Sequence, residues 1–218
     1  MAAVVGIYAE PKEKIDFRKI SGFVEGNLGF TVKLKRLKHG IVQSKGLLYN
    51  PIATGRLFEK VRLKKSDIDI LITDRLIATY EDSDRRLHVR AAVFGYPSVI
   101  STSGIVEAPA KPKEYYLQKQ KYSLLKAWEL KEGEVKKVFR DRFIDYHDKR
   151  MPEVLKGFVS QAIFFNLTGS PFCEKKNCRL FNAHWQEDLI KAQIHSGKFC
   201  KNHQQELKSI KEEVGCHA

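Results

Sequence analysis

The sequence lacks a hydrophobic run long enough to cross a membrane. Its longest apolar stretch near the N-terminus, residues 2–9, ends at Glu10, Pro11 and Lys12, and no Lys or Arg precedes it. A membrane helix needs about 20 apolar residues, and a secretory signal needs a basic start. We therefore expect no membrane span, no signal peptide and no membrane partner. A cytoplasmic location is the default expectation.

Glycine and proline are also sparse. The 218 residues include 14 Gly and 7 Pro, while 43% of the residues are hydrophobic and 30% are charged. This composition excludes collagen-like repeats, low-complexity sequence and wholesale disorder. At roughly 150 residues per domain, the length predicts one domain with extensions. We take residues 1–218 as a single domain.

Three motifs of common enzyme classes are missing. The chain has no G-x-x-x-x-G-K-[ST] loop, no G-x-G-x-x-G after its first predicted strand and no G-x-S-x-G nucleophile elbow. These absences leave nucleotide-dependent enzymes and serine hydrolases without support in the sequence.

The first half of the chain alternates between predicted strands and helices. Its first strand is β-rich and almost wholly apolar, as in a strand covered on both faces, and its second alternates between apolar and polar residues. Strand, helix and strand in this order predict an α/β (α+β) fold with a mixed sheet. The predicted strands are 3–8, 30–35, 68–73, 89–94 and 98–103, and the helices between them are 15–24 and 54–61.

The second half is predicted to be mainly helical. Residues 114–146 are rich in Lys and Glu, and their apolar spacing indicates two helices interrupted near Gly133. A further helix is predicted from Pro152 to Thr168, because proline suits a first helical turn and Gly169 suits the left-handed residue that ends a helix. The second half of that helix is apolar on every side, so we expect it to be buried.

Most of the positive charge lies in one segment. Between residues 31 and 65 there are ten basic residues against Glu59 alone, which accounts for +9 of the net charge of +13. Such a segment attracts phosphates, RNA or an acidic partner, although charge runs are more often a solvated surface. If the segment binds a polyanion, five of its side chains should share one face: Lys33, Lys35, Arg36, Arg56 and Arg62.

Cysteine and histidine form two pairs near the C-terminus. Cys173 and Cys178 are separated by four residues, and Cys200 and His203 follow after a further 21. Two chelating pairs joined by a loop are typical of a tetrahedral zinc site, and three thiolates with one imidazole leave no open position for water. We therefore predict one structural zinc per chain. Cys216 is the alternative to His203 as the fourth ligand.

This C-terminal third resembles the archaemetzincin family of zinc metallopeptidases. The family signature is H-E-x-x-H-x-x-G-x3-C-x4-C-x-M-x17-C-x-x-C. Its cysteine part is matched by Gly169, Cys173 and Cys178, with Leu180 at the Met position, although the next gap is two residues longer and His203 replaces the last Cys. Upstream, residues 93–95 and 99–102 are similar to the edge-strand region of the family.

The catalytic part of the signature is not matched. Ala162 and Asn166 stand at the two His positions, Ile163 at the Glu position and Phe172 at the downstream ligand position. In the family motif, two imidazoles hold zinc and the Glu serves as general base. Isolated histidines such as His184 and His147 cannot replace that set, and we expect Ile163, Phe165 and Phe172 to fill the space.

The resemblance implies a zincin-like fold, with a C-terminal structural zinc subdomain at 170–205. It favours a non-catalytic archaemetzincin-like protein with a binding or regulatory role. Two alternatives remain open. One is an RNA- or DNA-associated zinc protein that uses the basic segment, and the other is a metal-dependent hydrolase with a relocated site.

Overall fold

A computed structural model describes residues 3–12 and 15–213. Nine strands and eight α-helices are assigned within these residues. The strands are β1 (Val4–Ala9), β2 (Thr31–Arg36), β3 (Ser44–Lys45), β4 (Leu48–Tyr49), β5 (Ile68–Thr73), β6 (Ile77–Glu81), β7 (Arg86–Arg90), β8 (Ala92–Val93) and β9 (Ser98–Ser101). The helices are α1 (Arg18–Phe23), α2 (Pro51–Glu59), α3 (Thr102–Glu107), α4 (Lys113–Leu124), α5 (Trp128–Val138), α6 (Met151–Thr168), α7 (Gln186–Ile190) and α8 (Lys201–Glu213).

The strands form two mixed sheets. The first has the order β2-β1-β5-β9-β8, in which the first four strands are parallel and β8 runs antiparallel at one edge. The second has the order β3-β4-β6-β7. All six residues of β5 are buried, as expected for a parallel strand covered on both faces. The predicted α/β fold with a mixed sheet is confirmed.

Helix α6 supplies much of the main hydrophobic core. Its residues Val154, Val159 and Ile163 are fully buried in a cluster that also contains Ile70 and Ile100 from the central sheet. The helix begins one residue before Pro152 and ends at Gly169, whose φ of 73° is the left-handed conformation that favours glycine. The predicted helix is confirmed. Its second half is buried only as far as Phe164, whereas Phe165 is half-buried and Asn166 and Thr168 are exposed.

Two predicted boundaries in the helices are wrong. The break between α4 and α5 lies at residues 125–127, where Lys126 adopts a φ of 52°, and Gly133 is inside α5. A single exposed glycine costs a helix only about 1 kcal/mol and does not have to end it. Helix α2 begins at Pro51, three residues early, because the Asn50 side chain accepts a hydrogen bond from the Ala53 N–H and caps it.

The predicted strand at 98–103 is also too long. It ends at Ser101, whose hydroxyl accepts a hydrogen bond from the Gly104 N–H and caps α3. A capping serine after a strand therefore starts a helix at Thr102. None of the helices in residues 3–12 and 15–213 is both long and apolar enough to span a membrane.

The segment after α6 packs back onto the main core. Leu180, Leu189 and Ile190 are buried in the same cluster as α6. The isolated bridge between Cys173 and Phe181 closes a tight loop at the start of this segment. The loop and the first turn of α8 are thereby brought together beside α6.

Candidate metal centre

The four predicted zinc ligands converge in the structure. One donor atom from each of Cys173, Cys178, Cys200 and His203 lies within 4.8 Å of all the others. The Sγ atoms of Cys173 and Cys200 are 3.9 Å apart, and Nδ1 of His203 lies 3.7 Å from the Cys178 Sγ and 3.1 Å from the Cys200 Sγ. A tetrahedral ion with bonds of about 2.3 Å to sulfur separates its ligands by about 3.8 Å. The donor set and its spacing therefore fit a zinc ion.

Local backbone structure positions the thiols. The N–H of Lys175 points to the Cys173 Sγ, and the N–H of Cys200 points to the Cys178 Sγ, each at 3.4 Å. Cys200 directly precedes α8, so His203 is one helical turn further on and faces the same side. These N–H groups lower the energy of negative charge on sulfur, as a thiolate ligand requires.

Two of the thiols have strongly displaced pKa values. Burial raises the pKa of Cys178 to about 12. Burial also acts to raise the pKa of Cys200, but hydrogen bonds from the backbone and side chain of His203 and from the neighbouring thiols outweigh it and lower the pKa to about 6. The neighbouring groups therefore favour the thiolate form of Cys200, whereas burial favours the neutral thiol of Cys178. A bound cation would favour the loss of the Cys178 proton.

His203 is held by packing against α6. Its ring packs edge-on against Phe164 with 5.7 Å between ring centroids. Its Nε2 lies 3.7 Å from a carboxylate oxygen of Glu206, which is longer than a hydrogen bond. The contact with Phe164 connects the cluster to the main core.

Arg179 ties the two ligand-bearing loops to α6. Its side chain is only 3% exposed and forms a 2.7 Å ion pair with Glu153 in the first turn of α6. It also donates to the carbonyl of Gly197, in the loop before Cys200, and stacks over the ring of Phe23. Arg179 is not among the site residues predicted from the sequence, although it directly follows the ligand Cys178.

The carboxyl group of Glu153 is held in its charged form beside Arg179. Burial acts to raise the pKa of its carboxyl group, but hydrogen bonds from Lys156 and Arg179 outweigh it and hold the pKa below its ordinary value. The carboxylate therefore stays charged at neutral pH, so the buried guanidinium of Arg179 has a charged partner.

The positions that match the family's catalytic motif form no second donor set. Ala162 and Ile163 are fully buried in the core. Asn166 is exposed, and its Nδ2 donates to the Ala162 carbonyl at 2.8 Å and lies 3.4 Å from the Ser98 Oγ. Within the described residues, the Cys and His cluster above is the sole group of three or more Cys, His, Asp or Glu side chains close enough to share an ion. Ala162, Ile163 and Asn166 therefore do not fit a catalytic zinc.

Aromatic rings occupy the space beside these positions. Phe94, which follows β8, stacks on Phe165 with 5.6 Å between ring centroids and contacts Phe172 at 5.8 Å. Phe165 is half-buried and Phe172 remains partly exposed. Phe94 could not be assigned to this cluster from the sequence. Its contacts with Phe165 and Phe172 form only because the edge strand lies beside α6 in the fold.

The two isolated histidines lie in separate cavities. His184 lines a cavity of about 300 Å³ between the β7–β8 edge and α6, together with Gln161 and Phe172. His147 lines a cavity of about 750 Å³ at the opposite, N-terminal end of α6, beside Met151. Neither histidine belongs to a group of three possible metal donors among the described residues.

The five basic side chains predicted to share a face are divided by the fold. Lys33 and Lys35 lie on one face of β2, whereas Arg36 lies on the other, where its guanidinium sits over the ring of Phe17. Lys35 donates to the Val61 carbonyl, and the guanidinium of Arg62 forms a 2.8 Å ion pair with the buried carboxylate of Asp69. Arg56 is exposed on α2. Nucleic-acid binding by this segment stays a prediction.

The fold defines the class of protein. The structure is similar to archaemetzincin from Methanopyrus kandleri, with a TM-score of 0.60 and 14% identity over 97% of this chain and 96% of that chain. It is also similar to a zinc-dependent peptidase from Methanocorpusculum labreanum, with a TM-score of 0.53 and 12% identity over 93% of this chain and 99% of that chain. The fold is thus zincin-like and of the archaemetzincin type, as predicted.

The chain belongs to the family described as "Probable metallopeptidase family (DUF6775)", whose sequence profile matches residues 34–210. No curated protein sequence matches the chain. The match covers the strands from β3 onward, α6 and all four converging ligands. The predicted resemblance to archaemetzincins is confirmed for the fold, and the family that the chain belongs to is a probable metallopeptidase family.

Proposed function

We propose that this chain is a non-catalytic relative of the zinc metallopeptidases, stabilised by one structural zinc and acting as a binding or regulatory protein. The convergence of Cys173, Cys178, Cys200 and His203 within 4.8 Å carries the proposal. Three thiolates and one imidazole complete a tetrahedron, so zinc held there has no position for a reacting water. Its contribution is to the stability of the fold.

The side chains of α6 support a protein without catalytic activity. Activation of water requires an ion with an open coordination position and a nearby proton acceptor. Ala162 and Ile163 supply neither a ligand nor a base, and the amide of Asn166 is engaged with the Ala162 carbonyl. The rings of Phe94, Phe165 and Phe172 add apolar surface at the same place.

The binding role is supported by the cavity that remains. About 300 Å³ of space lies between the β7–β8 edge and α6. It is lined by apolar residues such as Phe94 and Phe158 and by five polar ones, His88, Arg90, Gln161, Asn182 and His184. A cleft that combines apolar walls with a few polar groups suits ligand binding. The alternative of a relocated hydrolytic site is less favoured, because no second group of three metal donors is found among residues 3–12 and 15–213.

Protein purified without chelators should contain one zinc per chain and should not cleave peptides. We expect elemental analysis to give a stoichiometry near one, and mixed peptide libraries to remain intact with and without added zinc. An active archaemetzincin-type peptidase assayed in parallel is the control. Chelator-sensitive cleavage that is lost in an Asn166→Ala variant would show a working enzyme and would contradict the proposal.

A separate experiment tests the nucleic-acid alternative. If the basic segment binds RNA or DNA, affinity should fall steeply with salt, since each phosphate contact releases counterions. Lys33→Gln combined with Arg56→Gln should then weaken binding, whereas Lys208→Gln, an exposed lysine on α8, should not. We expect no salt-sensitive binding, because Lys35 and Arg62 are already engaged within the fold.

A further inference from the structure

Helices α4 and α5 form a hairpin with a small hydrophobic core of its own. Tyr115 in α4 packs against Val135 in α5 and against Phe139 and Phe143 beyond it, and Tyr122 and Trp128 border this cluster. The cluster is separate from the main core. These contacts hold the two helices together.

The tip of this hairpin exposes large apolar side chains. The turn residues 123–126 are all exposed. Leu124 is 79% exposed, Leu125 is 65% exposed, and Leu130, one turn into α5, is 83% exposed. Single exposed leucines are common on protein surfaces, but three within seven residues around one turn form an apolar group that a binding partner would cover.

Positive charge is concentrated at the same tip. Residues 119–131 contain four lysines and one glutamate, whereas the rest of the hairpin, 113–118 and 132–138, contains three lysines and three glutamates. The ammonium of Lys119 lies over the ring of Trp128, and that of Lys121 lies over the ring of Tyr122. Lys126 is exposed in the turn itself. The tip thus combines leucine, tryptophan, tyrosine and lysine.

We propose that the hairpin tip, residues 119–131, inserts into the interface of an anionic phospholipid bilayer. Leu124, Leu125 and Leu130 would enter the boundary between headgroups and acyl chains. The lysines would stay at the headgroup level, where their long apolar stems allow the charged ends to reach anionic lipid. Tyr122 and Trp128 are half-buried against the hairpin cluster, so they support the tip from within.

The side chains of the tip favour an anionic membrane as the partner. Exposed lysines match the charged headgroups of such a bilayer, and exposed leucines match its apolar boundary. Pairing of two like-charged tips between copies of the chain would be disfavoured. The proposal is independent of the zinc site, and it departs from the expectation of no membrane partner, because the exposure of these leucines depends on the tertiary fold.

Vesicle binding of the full chain tests the proposal. We expect the protein to co-sediment with phosphatidylcholine vesicles that contain phosphatidylserine, and not with vesicles of pure phosphatidylcholine. A Leu124→Ser/Leu125→Ser variant should lower the partition coefficient at least tenfold. Each Lys→Gln change at Lys119, Lys121 or Lys126 should lower it about fivefold.

Matched variants decide between the possible outcomes. Ile52→Ser removes an equally exposed apolar side chain from α2, and Lys64→Gln removes a lysine outside the hairpin; both should bind vesicles as the parent does. Equal losses in these controls would indicate general electrostatic adsorption and would overturn the proposal. So would an absence of vesicle binding, or self-association abolished by the Leu124→Ser/Leu125→Ser change, which would make the tip a contact between copies.

Discussion

Substituting Cys178 by serine should lower the free energy of unfolding by several kcal/mol and abolish stoichiometric zinc binding. Cys178 is fully buried, and its Sγ lies at the centre of the contacts with Cys200 and His203. Structural zinc supplies folding free energy on the order of 10 kcal/mol in small domains, so the loss of one ligand removes a large share of it. Urea unfolding with and without zinc, together with metal analysis, measures both effects.

The chain supplies a matched thiol control for this experiment. Cys216→Ser removes the fourth cysteine, which lies outside the described residues. We expect Cys216→Ser to retain one zinc and parental stability, and His203→Ala to lose zinc. The reverse pattern would make Cys216 the fourth ligand, and the absence of zinc from the parent protein would rule out the metal centre altogether.

Replacing Arg179 by methionine should have the second-largest effect, about 1–3 kcal/mol of stability, because partly buried carbonyl groups that its guanidinium satisfies would lose their donor. The change would leave the Glu153 carboxylate without its buried partner and the Gly197 carbonyl without its donor. Because Gly197 precedes Cys200 in the same loop, zinc affinity should also fall, by about 10- to 100-fold as for other groups that orient metal ligands. Chelator competition measures that change separately from unfolding.

Arg142→Met is the matched control for the Arg179 experiment. Arg142 also contacts two carboxylates, those of Glu114 and Glu187, but its side chain is 39% exposed. Exposed ion pairs contribute at most about 1 kcal/mol, so this variant should stay near parental stability and bind zinc normally. Equal effects of the two substitutions would show that burial of Arg179 does not matter, and unchanged zinc affinity in Arg179→Met would remove its role in positioning the loops.

Local patterns predicted the regular elements well. The strands at β1, β2 and β5 follow from apolar runs and alternation, and the limits of α6 follow from Pro152 and Gly169. The errors occurred where a local signal was given too much importance or overlooked. Gly133 is tolerated inside α5, whereas the Asn50 and Ser101 caps, which extend α2 and start α3, were not recognised.

Contacts distant in sequence could not be predicted in this way. Three such contacts join residues from different elements. Phe94 meets Phe165 and Phe172, and Arg179 pairs with Glu153 and the Gly197 carbonyl. Arg62 forms an ion pair with Asp69. No periodicity or spacing specifies which of many possible partners such residues meet. These contacts depend on how α6 lies against the sheet and the C-terminal loops.

The sequence by itself determined the α/β alternation, the spacing of the two ligand pairs and the absence of His and Glu at the positions held by Ala162, Ile163 and Asn166. These features depend on residue type and on neighbours within a few positions of the chain. The tertiary structure decided that the donor atoms converge within 4.8 Å, that Lys35 and Arg62 of the basic segment are engaged by Val61 and Asp69, and that Leu124 and Leu125 are exposed. Convergence and exposure are set by packing between distant segments, which the order of residues does not display.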